Sequence, residues 1–193
     1  MALLNTSAAA AKKAIEHYQL GAETRAYGSP AALAADKDVD LVVCATRVDT
    51  HYDAISPSIA AGKDVYTEWP LAENAAKARE LAELAQKSGS KTVVGLQGRV
   101  TPLTLKVREL LEQGRIGKVL SSELRITVGL MPQLGWPKGF DYFYDRKVGG
   151  NAYTIAFAHC KSCLSLTPTL PLTNTNTPSH RPRRIPWATQ AAA

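Results

Sequence analysis

The positions of apolar and polar residues along the chain predict strands that alternate with helices. Residues 41–45 form a short apolar run rich in β-branched side chains, which is typical of a strand buried on both faces of a parallel sheet. Residues 50–61 then carry apolar side chains at helical spacing, and Gly62 supplies a helix stop. Because residues 64–67 predict a second strand, this stretch is interpreted as one strand–helix–strand unit.

Other segments predict further elements of the same kind. Ser7 and Ser29 are suited to cap helices that end near residues 18 and 35. The remaining patterns predict a strand at 2–4, a helix at 73–87, a strand at 91–96, a helix from 103 to Gly114 and a strand at 119–128. Strands that alternate with helices indicate the α/β fold class with a parallel sheet.

Polar residues follow the strands of this predicted sheet. Thr46 comes directly after the strand at 41–45, Glu68 ends the next one, and Gln97 follows the strand at 91–96. Parallel strands joined by crossovers bring their carboxyl ends to the same edge, so Thr46 and Glu68 are predicted to face one crevice. Open α/β sheets bind their ligands at that edge.

The C-terminal part of the chain has a different composition. Residues 129–150 are rich in Pro, Gly and aromatic side chains, which predicts a long loop that either lines a pocket or is anchored by its aromatic rings. From Cys160 onward Thr and Pro are in excess, which predicts a disordered tail. This tail supplies four of the six net positive charges. The rest of the chain is nearly neutral, so direct binding to nucleic acid is not expected.

Bulk composition narrows the class of protein. The chain is 45% hydrophobic and 21% charged, which is ordinary for a globular protein. Three cysteines, two of them in the tail, favour a reducing compartment, and no apolar run approaches the roughly 18 residues of a membrane span. These features predict a protein of the cytoplasm or nucleus. A metal site is not expected, because the pair Cys160 and Cys163 lacks a second pair at zinc spacing.

Several residues at joint spacing resemble a known signature. They are Thr46, His51, Ala61-Gly62-Lys63, Val65 and Glu68-Trp69-Pro70-Leu71, which resemble the T-P-N-x-x-H, A-G-K-x-V and E-K-P-L motifs of the Gfo/Idh/MocA family of oxidoreductases. Trp69 stands where that family has lysine, and this resembles the fungal branch that includes the galactose-regulon repressor, a non-enzymatic regulator. The resemblance covers roughly residues 2–159.

The resemblance implies how the chain is divided. Residues 1–118 are expected to form an incomplete Rossmann-like sheet for NAD(P), residues 119–159 to begin an α+β domain, and residues 160–193 to form the tail. A dinucleotide fold opens with a strand and a G-x-G-x-x-G turn, and that motif occurs nowhere in the sequence. The chain is therefore expected to begin one strand–helix unit late and to lack tight binding of NAD or NADP.

The resemblance also implies where the chemistry would occur. In enzymes of this family the lysine of E-K-P lies beside the nicotinamide and the substrate carbon, together with an aspartate and a histidine spaced D-x-x-x-H after a glycine cluster. Here Gly149-Gly150-Asn151 resembles the cluster and His159 falls on the histidine. Trp69 and Ile155 replace the lysine and the aspartate. Oxidation of an alcohol requires a base for the hydroxyl proton, so His159 is the remaining catalytic candidate and activity is predicted to be impaired.

Six residues are candidates for the cofactor site. They are Thr46, His51, Glu68, Trp69, Pro70 and Gln97. For His51 the simpler alternative is one capping bond at the start of a helix. Trp69 could stack on a flat ligand or fill the pocket.

Three functions remain open from the sequence. The first is an NAD(P)-dependent oxidoreductase relative that acts on the CH–OH group of a sugar or polyol. The second is a non-enzymatic regulator that senses a dinucleotide and binds a protein partner or a second copy. The third is a truncated product without independent function. Glu68 and His159 favour the first hypothesis, whereas Trp69 and Ile155 favour the second.

Overall fold

The structure is a computed structural model that describes residues 1–125 and 139–164. Its helices and strands follow one another in the order β1 (Ala2–Leu4), α1 (Ala8–His17), β2 (Arg25–Tyr27), α2 (Pro30–Ala34), β3 (Leu41–Cys44), α3 (Val48–Ala60), β4 (Asp64–Glu68), α4 (Ala75–Ser88), β5 (Thr92–Gly95), α5 (Pro102–Glu112) and α6 (Ala152–Leu164). Three short 3-10 segments lie at Gln97–Val100, Asp141–Tyr144 and Arg146–Val148. The predicted α/β fold with an incomplete Rossmann-like parallel sheet is confirmed.

Local signals set the ends of several helices. The Ser7 hydroxyl accepts a hydrogen bond from the Ala10 amide at 3.1 Å and so caps α1. Ser29 caps α2 in the same way, and the Asn74 side chain accepts from the Lys77 amide at the start of α4. Gly89 ends α4 with a φ of 77°, a left-handed conformation that glycine adopts without strain.

The strands form two parallel sheets. β1 pairs with β2, and β3, β4 and β5 form a three-stranded sheet in chain order. The register places Val43 beside Tyr66 and Tyr66 beside Val93. Each connection between successive strands is a helical crossover, so all three strands end at the same edge. That edge is called the carboxyl edge below.

The two faces of the three-stranded sheet have different surroundings. On one face Val42, Cys44, Val65 and Thr67 are buried, and the core formed there includes Ile55 and Ile59 of α3 and Leu81 and Ala85 of α4. On the other face Leu41, Val43 and Val93 are exposed by 56%, 63% and 56%. The predicted burial of residues 41–45 on both faces is therefore wrong, because within residues 1–125 and 139–164 helices cover only one face.

Polar contacts join the two sheets. The Lys63 ammonium donates to the carbonyl oxygens of Asp36 and Val39 at 2.5 and 2.6 Å, just before β3. The Tyr27 hydroxyl of β2 donates to the Asp36 carboxylate at 2.7 Å, and Arg25 lies 3.0 Å from the same carboxylate. The turn between α2 and β3 is thereby fixed to both sheets.

The chain after α5 differs from the sequence prediction. Residues 119–125 adopt no regular structure, so the strand predicted at 119–128 is wrong over these residues, while residues 126–128 lie outside the described part. An isolated extended segment has no neighbouring strand to accept its hydrogen bonds. α6 continues to Leu164, five residues into the predicted tail. The rest of that tail, residues 165–193, and the loop residues 129–138 lie outside the described residues.

Candidate functional site

The carboxyl edge brings Glu68 and Gln97 together. Glu68 is the last residue of β4, and Gln97 begins the 3-10 segment that follows β5. The Gln97 amide donates to both carboxylate oxygens of Glu68, at 2.9 and 2.8 Å. The Glu68 carboxylate is thus oriented by a neutral side chain. Gln97 is exposed and Glu68 is half-buried, so both groups can contact a ligand.

Tyr66 lies on the same face of the sheet as Glu68. Gly95 pairs with Glu68 across the two strands. A Cβ atom at Gly95 would lie 2.4 Å from the Tyr66 hydroxyl oxygen and 3.3 Å from Oε2 of Glu68. The glycine therefore allows the phenol to lie across β5, which places a hydroxyl next to the Glu68 carboxylate.

The turn between β3 and α3 is held by hydroxyl groups. The Thr50 hydroxyl donates to the Arg47 carbonyl at 2.7 Å, so its one proton is used there. The Thr46 hydroxyl, 2.8 Å from the Thr50 hydroxyl, must therefore donate to it. Thr46 remains exposed at the carboxyl edge, where its oxygen can still accept a hydrogen bond.

Arg47 and Asp49 form a charged pair at the start of α3. Arg47 Nε and Nη2 each lie 2.7 Å from a carboxylate oxygen of Asp49. This bidentate contact is the main reason why the pKa of Asp49 is below its usual value. The guanidinium carbon also lies 5.6 Å from the centre of the Tyr142 ring, so Arg47 contacts the segment that precedes α6.

His51 is fully buried beneath the carboxyl edge, with 0% of its surface exposed. Its Nδ1 lies 2.9 Å from the Pro70 carbonyl oxygen, and its Nε2 lies 2.9 Å from the Thr46 carbonyl oxygen. Both ring nitrogens are therefore used by the backbone. His51 links the turns after β3 and β4, which is more than the single capping bond considered from the sequence.

Trp69 connects the carboxyl edge to α6. Its indole Nε1 donates to the carbonyl oxygen of Thr154 at 3.0 Å, although the two residues are 85 positions apart. Pro70 follows through a cis peptide bond and is buried. The side chain at position 69 is thus engaged with the protein in the arrangement observed.

Two glycines bring the start of α6 close to α3 and to the turn before α4. At Gly149, which has a φ of 79°, a Cβ atom would lie 2.3 Å from the Glu73 carbonyl oxygen. At Gly150 it would lie 2.5 Å from a methyl group of Val48. The glycine cluster identified in the sequence therefore permits close backbone packing against the residues that flank the crevice.

The first turn of α6 is closed by Asn151 and Thr154. The Asn151 carboxamide oxygen accepts from the Thr154 amide at 3.1 Å, and the Thr154 hydroxyl lies 3.0 Å from the Asn151 amide. Ile155 and His159 follow, one turn apart on the same side of the helix, and both are half-buried. α6 packs against the segment Gln97–Val100.

The sequence interpretation missed several contributors to this site. They are Arg47, Asp49, Thr50, Tyr66 and Thr154. The spacing of Asn151 and Thr154 is a helix-capping signal that was available in the sequence. The others depend on contacts between separate elements, for which the sequence offers no local pattern.

The described residues provide only part of what an NAD(P) site requires. Thr46 and Gln97, which are exposed, and Glu68, which is half-buried, offer polar groups at the carboxyl edge, and these suit a nucleoside. The residues present do not fit the pyrophosphate, because the sequence lacks the glycine-rich turn at the start of a helix that would bind it. Among residues 1–125 and 139–164, no three His, Cys, Asp or Glu side chains are arranged to hold a metal ion.

Comparison with known proteins identifies relatives. Residues 1–96 match the sequence model of the GFO_IDH_MocA family, an oxidoreductase family with an NAD-binding Rossmann fold. Dehydrogenase aclE of Aspergillus oryzae is 40% identical over 135 residues, which cover 70% of this chain and 36% of that protein. The galactose/lactose metabolism regulatory protein GAL80 of Kluyveromyces lactis is 28% identical over 166 residues, or 82% of this chain and 36% of that protein.

A solved structure shows the same fold. The NAD binding oxidoreductase from Klebsiella pneumoniae is 29% identical, with a TM-score of 0.67, over 86% of this chain and 43% of that one. The chain spans about a third of the length of the two curated relatives. In the described residues, no helix is long and apolar enough to cross a membrane.

Proposed function

We propose that the chain binds NAD or NADP weakly and is impaired in hydride transfer. The binding is expected because residues 1–96 match the Gfo/Idh/MocA oxidoreductase family, which has an NAD-binding Rossmann fold. The binding site is the carboxyl edge, where Thr46 and Gln97 are exposed and Glu68 is half-buried. His51, Trp69 and Pro70 support that edge from within the protein. The dinucleotide, when bound, would supply the hydride acceptor.

The observation that carries this proposal is the hydrogen bond from Trp69 to Thr154. A dehydrogenase needs a group that takes the hydroxyl proton of its substrate. An indole N–H cannot act as a general acid or base near neutral pH, and here it already donates to a carbonyl 3.0 Å away. Ile155, one residue further on α6, is apolar. The lysine and the aspartate of the family motif are thus replaced here by residues that cannot act as a general base.

The ligand beside the cofactor is proposed to be a sugar or polyol. It would lie between the carboxyl edge and α6, where His159 offers an imidazole and Glu68 a carboxylate. With only these groups, a CH–OH compound could be bound without fast oxidation. The division into a nucleotide domain at 1–118 and a second domain from 119 is part of the same proposal.

Calorimetric titration of NAD and NADP into the full chain tests the binding, and NAD(P)H formation with a panel of sugars and polyols tests the chemistry. We expect weak binding and no steady turnover. Trp69→Phe keeps a smaller aromatic ring and removes the N–H donor, so it is the control for the double change Trp69→Lys with Ile155→Asp. Activity that appears only in the double variant would support the proposal, whereas turnover by the unaltered chain would contradict it.

A second candidate function is a regulator that senses the dinucleotide without turnover. It is favoured by Trp69, which turns a proton-transfer position into a link to α6, and by the similarity to GAL80 over 82% of the chain. Such a regulator would act through a protein partner or a second copy, in the cytoplasm or nucleus. Sedimentation of the chain with and without NADP distinguishes it, since this function requires a change of assembly upon binding.

A further inference from the structure

The uncovered face of the three-stranded sheet carries a row of apolar side chains that crosses all three strands. Val43, Tyr66 and Val93 are neighbours in the register of β3, β4 and β5. Val43 and Val93 are 63% and 56% exposed, and Leu41, two residues before Val43 on the same face, is 56% exposed. These four residues form one flat surface, which is called the open face below.

Helix α5 presents a second apolar surface. Leu103, Val107 and Leu110 are spaced by four and three residues and therefore share one side of the helix. Leu103 is 76% exposed, Val107 is 43% exposed and Leu110 is half-buried. These three residues are called the α5 stripe below.

The connection after β5 holds α5 away from the open face of its own chain. The 3-10 segment Gln97–Val100 is fixed at its first residue by the hydrogen bonds from Gln97 to Glu68, and α6 packs against the same segment. The Thr101 side chain caps α5 directly after it. Within the described part of the chain, both apolar surfaces are therefore left in water.

Two copies can cover both surfaces at once. Helices α3 and α4 already pack on the other side of this sheet, so a helix is the kind of element that fits its open face. The exposed fractions correspond to on the order of 500 Å² of surface per copy, so a two-fold pair would bury on the order of 1,000 Å² in total, the lower limit of a specific interface. A one-way contact would bury half of that, which is the size of a crystal-packing contact.

We propose that the chain forms a weak two-fold homodimer in which the α5 stripe of each copy packs on the open face of the other. Charge supports this pairing, because Lys106 flanks the stripe and Asp64 lies beside Tyr66 on the open face. At low concentration the dimer dissociates, and both surfaces return to water. The pairing goes beyond the proposed function, since neither surface includes Thr46 or Gln97.

Sedimentation of the full chain without nucleotide, over a range of concentrations, tests the pairing. The mass is expected to rise from one copy to two and to stop there, because the reciprocal contact leaves neither surface open. A chain that stays monomeric, or that grows beyond two copies, would overturn the proposal.

One substitution on each surface shows which surfaces take part. Val43→Lys on the open face and Leu103→Glu on the α5 stripe should each raise the dissociation constant by at least about tenfold, because each places a charge in an apolar contact. Leu120→Glu is the matched control, since Leu120 is 80% exposed and lies outside both surfaces. Association that is insensitive to either Val43→Lys or Leu103→Glu would contradict the proposal.

A mixture of the two variants distinguishes this pairing from others. The mixed pair keeps one intact contact, between the unaltered stripe of the Val43→Lys chain and the unaltered open face of the Leu103→Glu chain. Its other contact brings a lysine against a glutamate. Association is therefore expected to return on mixing, although each variant alone is impaired. Pairing of two open faces or of two helices would respond to one substitution alone and would rule out the proposed arrangement.

A further measurement uses the unaltered chain, so it decides even if a variant fails to fold. Chains labelled with nitrogen-15 are mixed with unlabelled chains and treated with a lysine-reactive cross-linker. Links from Lys106 on α5 to Lys91, which directly precedes β5, are expected to join labelled to unlabelled copies. If these links form within single copies alone, α5 covers the open face of its own chain and the dimer is excluded.

Discussion

The two faces of the three-stranded sheet are made from the same kinds of residue but have different surroundings. Val65 on the covered face is 2% exposed, whereas Val43 on the open face is 63% exposed. Alternate residues of a strand point to opposite faces, so one strand contributes to both. The comparison shows that the contribution of an apolar residue to stability depends on what packs against it, which its own strand does not specify.

The largest expected effect comes from a matched pair of valines. Val65→Ala removes two methyl groups from the core beside α3 and α4, and is expected to lower the free energy of unfolding by about 2 kcal/mol. Val43→Ala is expected to change it by no more than about 0.5 kcal/mol. Urea denaturation of both variants measures the difference. Equal losses would show that the open face is covered in solution.

The second-largest effect is expected from acid, which should weaken the contacts of Asp36 that link the two sheets. The hydrogen bond from the Tyr27 hydroxyl, followed by smaller contributions that include the charge of Arg25, lowers the pKa of Asp36 below its usual value. Such a carboxylate stabilises the fold above the pKa of the unfolded chain, and this stability is lost as the pH falls through the lower, folded value. Tyr27→Phe should reduce this acid dependence in pH-jump unfolding experiments. If Tyr27→Phe loses stability at low pH to the same extent as the unaltered chain, the role of Asp36 is contradicted.

Two glycines with equally close neighbours test the freedom of the open face. A Cβ at Gly95 would lie 2.4 Å from the Tyr66 hydroxyl, the end of a side chain that can move on that face. A Cβ at Gly28 would lie 2.4 Å from the backbone nitrogen of Ala8, which cannot move easily. We expect Gly95→Ala to cost less than about 1 kcal/mol and Gly28→Ala to cost more. Thermal unfolding measures both losses of stability. A larger loss for Gly95→Ala than for Gly28→Ala would show that the open face is rigid.

The smallest effect on stability is expected for Val43→Lys. The side chain remains in water, so the free energy of unfolding should change by no more than about 0.5 kcal/mol. Self-association should decrease, because exposed apolar sheet faces and unpaired strand edges promote it. Light scattering as a function of concentration measures this. If Val43→Lys leaves self-association unchanged, the chain self-associates through another surface, for example α5, where Leu103 is also exposed.

Local features of the fold were readable from the sequence. Ser7, Ser29 and Gly62 act within a few residues of their own positions, so the helix ends they set could be predicted. The parallel arrangement followed from the alternation of strands and helices. The exposure of Val43 could not be predicted, because it depends on which elements pack on the sheet. The predicted strand at 119–128 failed over residues 119–125 for the same reason, since alternation of side chains does not supply a partner strand.

The site was readable only in part. Glu68 and Gln97 could each be chosen because they end or follow a strand, but the hydrogen bonds between them required the register of β4 and β5. The role of Trp69 required knowledge of Thr154, which is 85 residues away. His51 was chosen as a candidate for ligand contact, and only the structure shows that both of its nitrogens face backbone carbonyls.

The order of the three-stranded sheet has a consequence for synthesis. β3, β4 and β5 are neighbours in space and in sequence, so every pairing closes over a single crossover helix and the chain entropy lost at each step is small. The unit from residue 41 to residue 95 can therefore assemble on the ribosome before α5 and α6 have emerged. The hydrogen bond from Trp69 to Thr154 can form only after α6 has been synthesised, so α6, the last described element to be made, closes the crevice.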